Sequence, residues 1–281
     1  MPVIKIAQVQ MHSCGSRSEA VEEACNAVAR AAAMRADIVC LPEMFLTHYD
    51  NASMKKDAVP EDGYELSRLA DTAARYGVYL QAGTVPEAAE GSLYNTAYLF
   101  DRSGTQIAKH RKMHLFDVDI KGGQSFSESS VFSAGDEITV AGTEFGRIGL
   151  AICYDIRFPE LFRLMALKGA KLVIVPASFN STTGPAHWQL CFRSEAMYNQ
   201  FFIAGTASAF SPDSSYHAYG HSIICGPWGE VLGELDENPG MLMTEINTDI
   251  TADVRNQLPI LKNRRTDIYD IAEIRAPEQD F

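Results

Sequence analysis

The chain has 281 residues, 46% of them apolar and 21% charged, and carries a formal net charge of −12. These proportions suit a globular protein with a sizeable core and argue against nucleic acid or an anionic membrane as the main partner. No stretch reaches the roughly 18 apolar residues that span a bilayer, and Met1 to Ile6 reads straight into a strand, without a signal-peptide plan. The six cysteines have no C-x-x-C spacing, which removes the usual zinc-ribbon and redox readings. The expectation is a cytoplasmic protein whose cysteines are free thiols.

The elements follow in chain order. Val3 to Val9 alternates and is β-branched, which predicts a strand, and alanine-rich Ser18 to Met34 predicts a helix. Asp37 to Leu41 is a short apolar run of the buried-strand kind, ending at Pro42-Glu43. A helix over Tyr64 to Tyr76 stops at Gly77, and a strand follows over Val78 to Thr84. Tyr94 to Phe100 and Thr105 to Arg111 read as a hairpin turning at Asp101-Arg102-Ser103-Gly104. Met113 to Phe132 is polar and has no clear period; long irregular stretches of this kind are often functional. The strand Ile148 to Ile152 ends at Cys153, followed by a helix over Phe158 to Lys168 and a buried strand over Leu172 to Val175. A helix from Pro185 to Gln200 precedes a strand over Phe202 to Ala207. Three short strands, Ser222 to Cys225, Gly229 to Leu232 and Leu242 to Ile246, close the pattern.

Strands alternating with helices, interrupted by hairpins, define a mixed α/β fold; this pattern alone fits either a doubly wound sheet or a two-sheet sandwich. One faint echo joins Asp37 to Glu43 with Ile148 to Asp155, both apolar strands ending in reactive side chains.

Reactive groups in α/β proteins collect where strands end. Three polar residues sit at such ends: Glu43, Lys112 and Cys153. A thiol is mostly protonated near neutral pH and needs a base or a positive field to attack. Glu43 could take the proton, while Lys112 could favour the thiolate and then stabilise an oxyanion. A cysteine at a strand end is ordinarily a small buried hydrophobe, the reading kept for Cys14, Cys25, Cys40, Cys191 and Cys225. Cys–His chemistry through His114, His187 or His221 is the competing arrangement. The basic run Lys262-Asn263-Arg264-Arg265 reads as a solvated tail or a subunit contact.

Three segments carry a resemblance: Leu41-Pro42-Glu43-Met44-Phe45, His110-Arg111-Lys112-Met113-His114-Leu115-Phe116, and Gly149 to Glu160 around Cys153-Tyr154-Asp155-Ile156-Arg157. In order and separation they resemble the Glu, Lys and Cys motifs of the nitrilase superfamily of carbon–nitrogen hydrolases, over nearly the whole chain. Phe116 to Asp119, Phe126 to Ser129 and Asn180 to Trp188 are similar to loops of its omega-amidase branch.

The resemblance implies a four-layer αββα sandwich, a single domain over residues 1–281, with a C-terminal tail from about 258 to 281 used in a homodimer or larger assembly. It implies Cys153 as nucleophile, Glu43 as base, Lys112 as oxyanion donor with a backbone N–H near Tyr154, and Glu128 as a second glutamate beside the thiol. Tyr154, Arg157, Phe179, Thr183 and His187 become the candidates for contacting substrate. No metal or organic cofactor is required, and the implied partner is a small amide: an omega-monoamide of a dicarboxylic or 2-oxo dicarboxylic acid. The same triad would also serve an N-carbamoyl compound, deaminated glutathione or a nitrile, and a non-catalytic binding protein on the fold is the alternative from another class. One departure stands out. Arg193-Ser194-Glu195-Ala196 carries a carboxylate where relatives commonly have a second arginine. Candidate cations for a substrate carboxylate are Arg157, Arg163 and Arg193; residues two apart on a helix point in different directions, so if Arg193 turns inward Glu195 does not, and the expectation is that the carboxylate site survives.

Overall fold

The computed structural model describes residues 3–12, 16–121 and 125–274. The first half contains β1 (Ile4–Gln10), α1 (Arg17–Ala33), β2 (Ile38–Cys40), α2 (Asn51–Lys56), α3 (Tyr64–Tyr76), β3 (Tyr79–Ala89), β4 (Ser92–Phe100) and β5 (Gln106–Arg111). A small ribbon, β6 (Asp117–Asp119) with β7 (Ser125–Ser127), leads to β8 (Val140–Thr143) and β9 (Gly146–Leu150). The second half continues with α4 (Pro159–Leu167), β10 (Ala170–Ala177), α5 (Gly184–Asn199), β11 (Phe202–Ala207), β12 (Ile223–Cys225), β13 (Val231–Glu234), β14 (Gly240–Ile246) and α6 (Ile250–Gln257).

Two six-stranded sheets result, ordered β14-β1-β2-β3-β4-β5 and β13-β12-β11-β10-β9-β8. Each has three parallel strands at its centre, β1-β2-β3 in one and β9-β10-β11 in the other, with antiparallel strands outside. The parallel strands need crossovers, and helices supply them. Helices α1 and α3 cover the first sheet around Val28, Leu69 and Leu80. Helices α4 and α5 cover the second around Phe162, Trp188 and Phe192. The sheets face each other through Ile6 and Ile38 on one side and Leu150, Ile174 and Ala204 on the other. The layers therefore run α–β–β–α.

The two sheets share one connection pattern, in which β2 corresponds to β10. The echo between residues 37–43 and 148–155 accordingly joins strands at different places in their sheets: β2 is a middle parallel strand and β9 an outer one.

Local chemistry explains several boundaries. Helix α3 ends at Gly77 with φ +64°, a left-handed cap that glycine adopts without a Cβ penalty. Helix α1 begins behind Ser16, whose side chain accepts the Glu19 N–H. Sequence periodicity missed α2, β8 and α6, all of which have eight residues or fewer. Phe201 and Phe202 are buried in the core, because β11 places them beneath the helices and between the sheets. Cys14 lies outside the described residues; Cys25, Cys40 and Cys225 are buried and Cys191 half-buried, all as free thiols.

Candidate active site

Glu43 lies beyond the end of β2. Gly83 on β3 permits the approach, since a Cβ there would sit 2.2 Å from the Pro42 carbonyl oxygen. The turn is held by the Met44 N–H, which donates to Thr84 Oγ1 at 3.0 Å. Lys112 follows β5, anchored through its backbone N–H to the Asn95 carbonyl at 2.8 Å. Glu128 opens a single 3-10 turn and exchanges bonds with Phe116: its N–H donates to the Phe116 carbonyl, and its carboxylate accepts the Phe116 N–H at 2.7 Å.

These three side chains meet in the interior. Lys112 Nζ is 3.0 Å from Glu43 Oε1 and 2.8 Å from Glu128 Oε2, and all three residues are at most 1% exposed. Asn95 Nδ2 donates to both carboxylates, at 2.9 Å to Glu43 and 3.0 Å to Glu128. The Tyr49 hydroxyl donates to Glu43 Oε2 at 3.4 Å. Two carboxylates thus share one ammonium. Burial alone would neutralise Lys112, but Glu128 and Glu43 outweigh it and hold the ammonium charged well above the ordinary lysine range. Burial, reinforced by Glu128, raises Glu43 against the opposing pull of Lys112, which makes it a stronger base than a surface glutamate.

Cys153 enters from the second sheet. Strand β9 runs out at Leu150, and Cys153 takes φ +44° at the head of a 3-10 turn over Cys153–Arg157. A left-handed conformation in a residue with a Cβ is strained by roughly 1–3 kcal/mol and persists only where the surroundings enforce it. The thiol hydrogen-bonds with Glu43 and with the backbone N–H of Ser178, just past β10. Burial and the adjacent carboxylate push it well above the ordinary cysteine value, and Lys112 only partly opposes this. The sequence reading allowed Lys112 to keep the sulfur as thiolate. In the folded protein the ammonium is shared between two carboxylates, so the resting sulfur is a thiol with the Glu43 carboxylate beside it.

Beyond the thiol lies a narrow cleft whose walls include Phe116, Tyr154, Arg157, Phe179, Thr183 and Tyr216. Four of the five substrate-contact candidates are therefore gathered there. His187, the fifth, is exposed and outside the wall; it meets Arg157 Nη1 at 3.0 Å and so acts on the guanidinium rather than on the cleft. Arg157 also lies 4.8 Å from the Phe179 ring centroid, a cation–π contact that helps to fix its direction.

Arg193 does not turn inward. It is exposed and donates to the Gly229 carbonyl at 2.8 Å. Glu195 is buried at 5% exposure, receives Asn199 Nδ2 at 2.8 Å, and is pushed up to about 7 by burial. Its nearest cation is Arg163 on α4, and neither residue lines the cleft. The carboxylate that the sequence flagged belongs to the α4–α5 packing, and the cation facing the cleft is Arg157. Among the described residues none of the three candidate histidines partners the thiol: His114 stacks on Phe158 and bonds Asp155, His187 meets Arg157, and His221 lies 3.6 Å from Glu234.

Sequence reasoning missed Asn95, Tyr49, Ser178, Tyr216 and Asp155. Asn95 had no motif signal, being one polar residue within a strand. Asp155 was legible in principle, as an acidic residue inside the Cys-Tyr-Asp-Ile-Arg segment.

A buried Glu–Lys–Cys cluster at the seam of an αββα sandwich defines the class, and the carbon–nitrogen hydrolase family model matches residues 5–256. The chain belongs to that family. It is 40% identical to the omega-amidase NIT2 of Xenopus tropicalis, covering 97% of this chain and 99% of that one, and 38% identical to the omega-amidase NIT2 of Homo sapiens, covering 99% and 100%. Among solved structures, Saccharomyces cerevisiae Nit3, of branch 10 of the nitrilase superfamily, superposes with a TM-score of 0.86 at 35% identity, covering 94% of this chain and 97% of that one.

Proposed function

We propose that the chain is an omega-amidase, a thiol amidohydrolase acting on omega-monoamides of dicarboxylic or 2-oxo dicarboxylic acids. One observation carries the substrate reading. Arg157 faces the same cleft as the Cys153 thiol, and no carboxylate is among the described residues lining it. A guanidinium there matches a carboxylate at the far end of the acyl chain.

The reaction then runs through the buried cluster. Glu43 takes the thiol proton as Sγ attacks the amide carbon. Lys112 and a backbone N–H near Tyr154 hold the oxyanion, a donor role worth roughly 3 kcal/mol per donor in other enzymes. The C–N bond breaks as Glu43 passes its proton to the leaving nitrogen; ammonia departs and a thioester remains. Glu43 then deprotonates a water that attacks the thioester, the C–S bond breaks, and the sulfur recovers a proton. Glu128 and Asn95 position the Lys112–Glu43 pair throughout.

The reading extends to a single catalytic domain in a homodimer or larger assembly that uses the tail beyond residue 258, in the cytoplasm. Exposed Tyr198 and Tyr269 support the assembly, flanking a groove beside α4 that Leu258 and Ile271 also line. Among the described residues no helix is long and apolar enough to cross a membrane.

Succinamate against butyramide is the direct test, since the two acyl groups differ in the terminal carboxylate. The omega-amidase reading expects the higher kcat/KM for succinamate; equal or better turnover of butyramide rejects it and leaves the thiol mechanism standing.

A further inference from the structure

Asn180 lies just past β10 and is 3% exposed, in the wall of the cleft that holds Cys153 and Arg157. Its carbonyl oxygen Oδ1 is fully used. It accepts the Thr182 N–H at 3.0 Å, the Thr183 N–H at 2.8 Å and the Thr183 hydroxyl at 3.1 Å. The Asn180 backbone carbonyl in turn accepts the Gly184 N–H at 2.8 Å, which starts α5.

These bonds fix which way the side-chain amide faces. Backbone N–H groups only donate, so the atom opposite Thr182 and Thr183 must be the oxygen; a flipped amide would set donors against donors. The nitrogen Nδ2 is therefore directed away from the start of α5, and it is buried without a hydrogen-bond partner among the described residues. Buried donors are rarely left unpaired in native proteins, and one left so in a ligand cleft is accounted for by the ligand.

The neighbours indicate what that ligand group must be. Thr183 spends its hydroxyl proton on Asn180 Oδ1, so it offers the cleft only lone pairs. Among the side chains lining the cleft, Arg157 is the cation and Asn180 Nδ2 the unpaired amide donor, beside the hydroxyls of Tyr154 and Ser178.

We infer that Asn180 Nδ2 is a substrate-binding donor for the terminal carboxylate, one oxygen of which it binds while Arg157 takes the other. This rests on the omega-amidase reading and deepens it: selectivity for the anionic acyl chain is divided between a charged guanidinium and a rigidly oriented neutral amide. The rigidity comes from the α5 entry turn, so the loop that begins the helix also sets the length of acyl chain accepted.

The test is Asn180→Asp, which keeps Oδ1 for the two threonine N–H groups and replaces the donor by a carboxylate oxygen. Asn180→Ser is the companion, because a serine hydroxyl can accept from the same backbone N–H groups and leaves the Nδ2 position empty. We expect kcat/KM for succinamate to fall about 100-fold in the first and about 10-fold in the second, mostly through KM, with butyramide within about threefold of wild type in both. If both substrates fall by equal factors, Asn180 only shapes the loop and the inference is overturned, while the wild-type preference for succinamate still upholds the omega-amidase reading. If wild type shows no such preference, that reading fails and takes this assignment with it.

Discussion

The carboxylate of Asp155 accepts the backbone N–H of Ile152 at 2.9 Å, so the residue two places after the nucleophile holds the residue just before it. The same carboxylate accepts the His114 backbone N–H at 2.9 Å and meets His114 Nδ1 at 2.8 Å and His110 Nε2 at 3.4 Å. The strained turn at Cys153 is thereby tied to the segment that carries Lys112. Burial would raise this carboxyl, but the bonds from His110, His114 and Ile152 win and hold it well below the usual aspartate range. Its contribution to stability is therefore complete above the ordinary aspartate value and is lost as pH falls toward the lower folded value. Asn at 155 should cost about 2–3 kcal/mol near neutrality, read from urea midpoints, and should flatten the acid limb of the stability curve. An unchanged acid limb would count against this account.

Cys153→Ala should abolish hydrolysis and leave the circular dichroism spectrum and melting cooperativity intact. Cys153→Ser should be nearly as inactive, because a hydroxyl is far harder for Glu43 to deprotonate than a thiol. Full activity in the alanine variant would end the thioester mechanism.

Glu195 offers a stability prediction with the opposite sign. Its carboxyl titrates near 7 in the fold, against an ordinary value of 4.5, because burial disfavours the charged form. Between those two values the unfolded chain has released a proton that the native state still holds, so stability falls as pH rises through this window. The full penalty, on the order of 3 kcal/mol, is present above pH 7. Glu195→Gln retains an acceptor for Asn199 and removes the titration. We expect its melting temperature to exceed that of wild type at pH 8 and to match it near pH 4.5, as followed by calorimetry across that range.

Light scattering at micromolar concentration should report a dimer or larger species. Tyr198, 52% exposed on α5, is the residue to change. Tyr198→Glu places a charge on that face and should lower the measured mass; a wild-type protein that is strictly monomeric would contradict the assembly reading.

Long periodic elements were legible from the sequence because burial imposes their pattern. Tyr64 to Tyr76 and Phe202 to Ala207 fall where the apolar spacing put them. Strand ends and motif order both pointed to Glu43, Lys112 and Cys153, and the resemblance to Glu128, and the fold brings these four side chains together in one buried cluster. What the sequence hid depends on the third dimension. Asn95 matters because β4 lies beside β5, a neighbour relation no local spacing encodes. Arg193 and Glu195 were weighed against each other by helix geometry, but which way α5 faces is set by Trp188 and Phe192 in the core, and these send Arg193 to solvent.

In the mechanism proposed above, the two halves of the chemistry ride on different sheets: Glu43 and Lys112 on the first, Cys153 and Ser178 on the second. Proton transfer between Glu43 and the sulfur is thus a gauge of how well the sheets stay seated on each other. Any loosening of the layer around Ile38, Leu150 and Ile174 parts base from nucleophile while every strand remains hydrogen-bonded within its own sheet. Warming should therefore silence the enzyme before its secondary structure melts, and the packing between the sheets, remote from any substrate, becomes the tuning element for turnover.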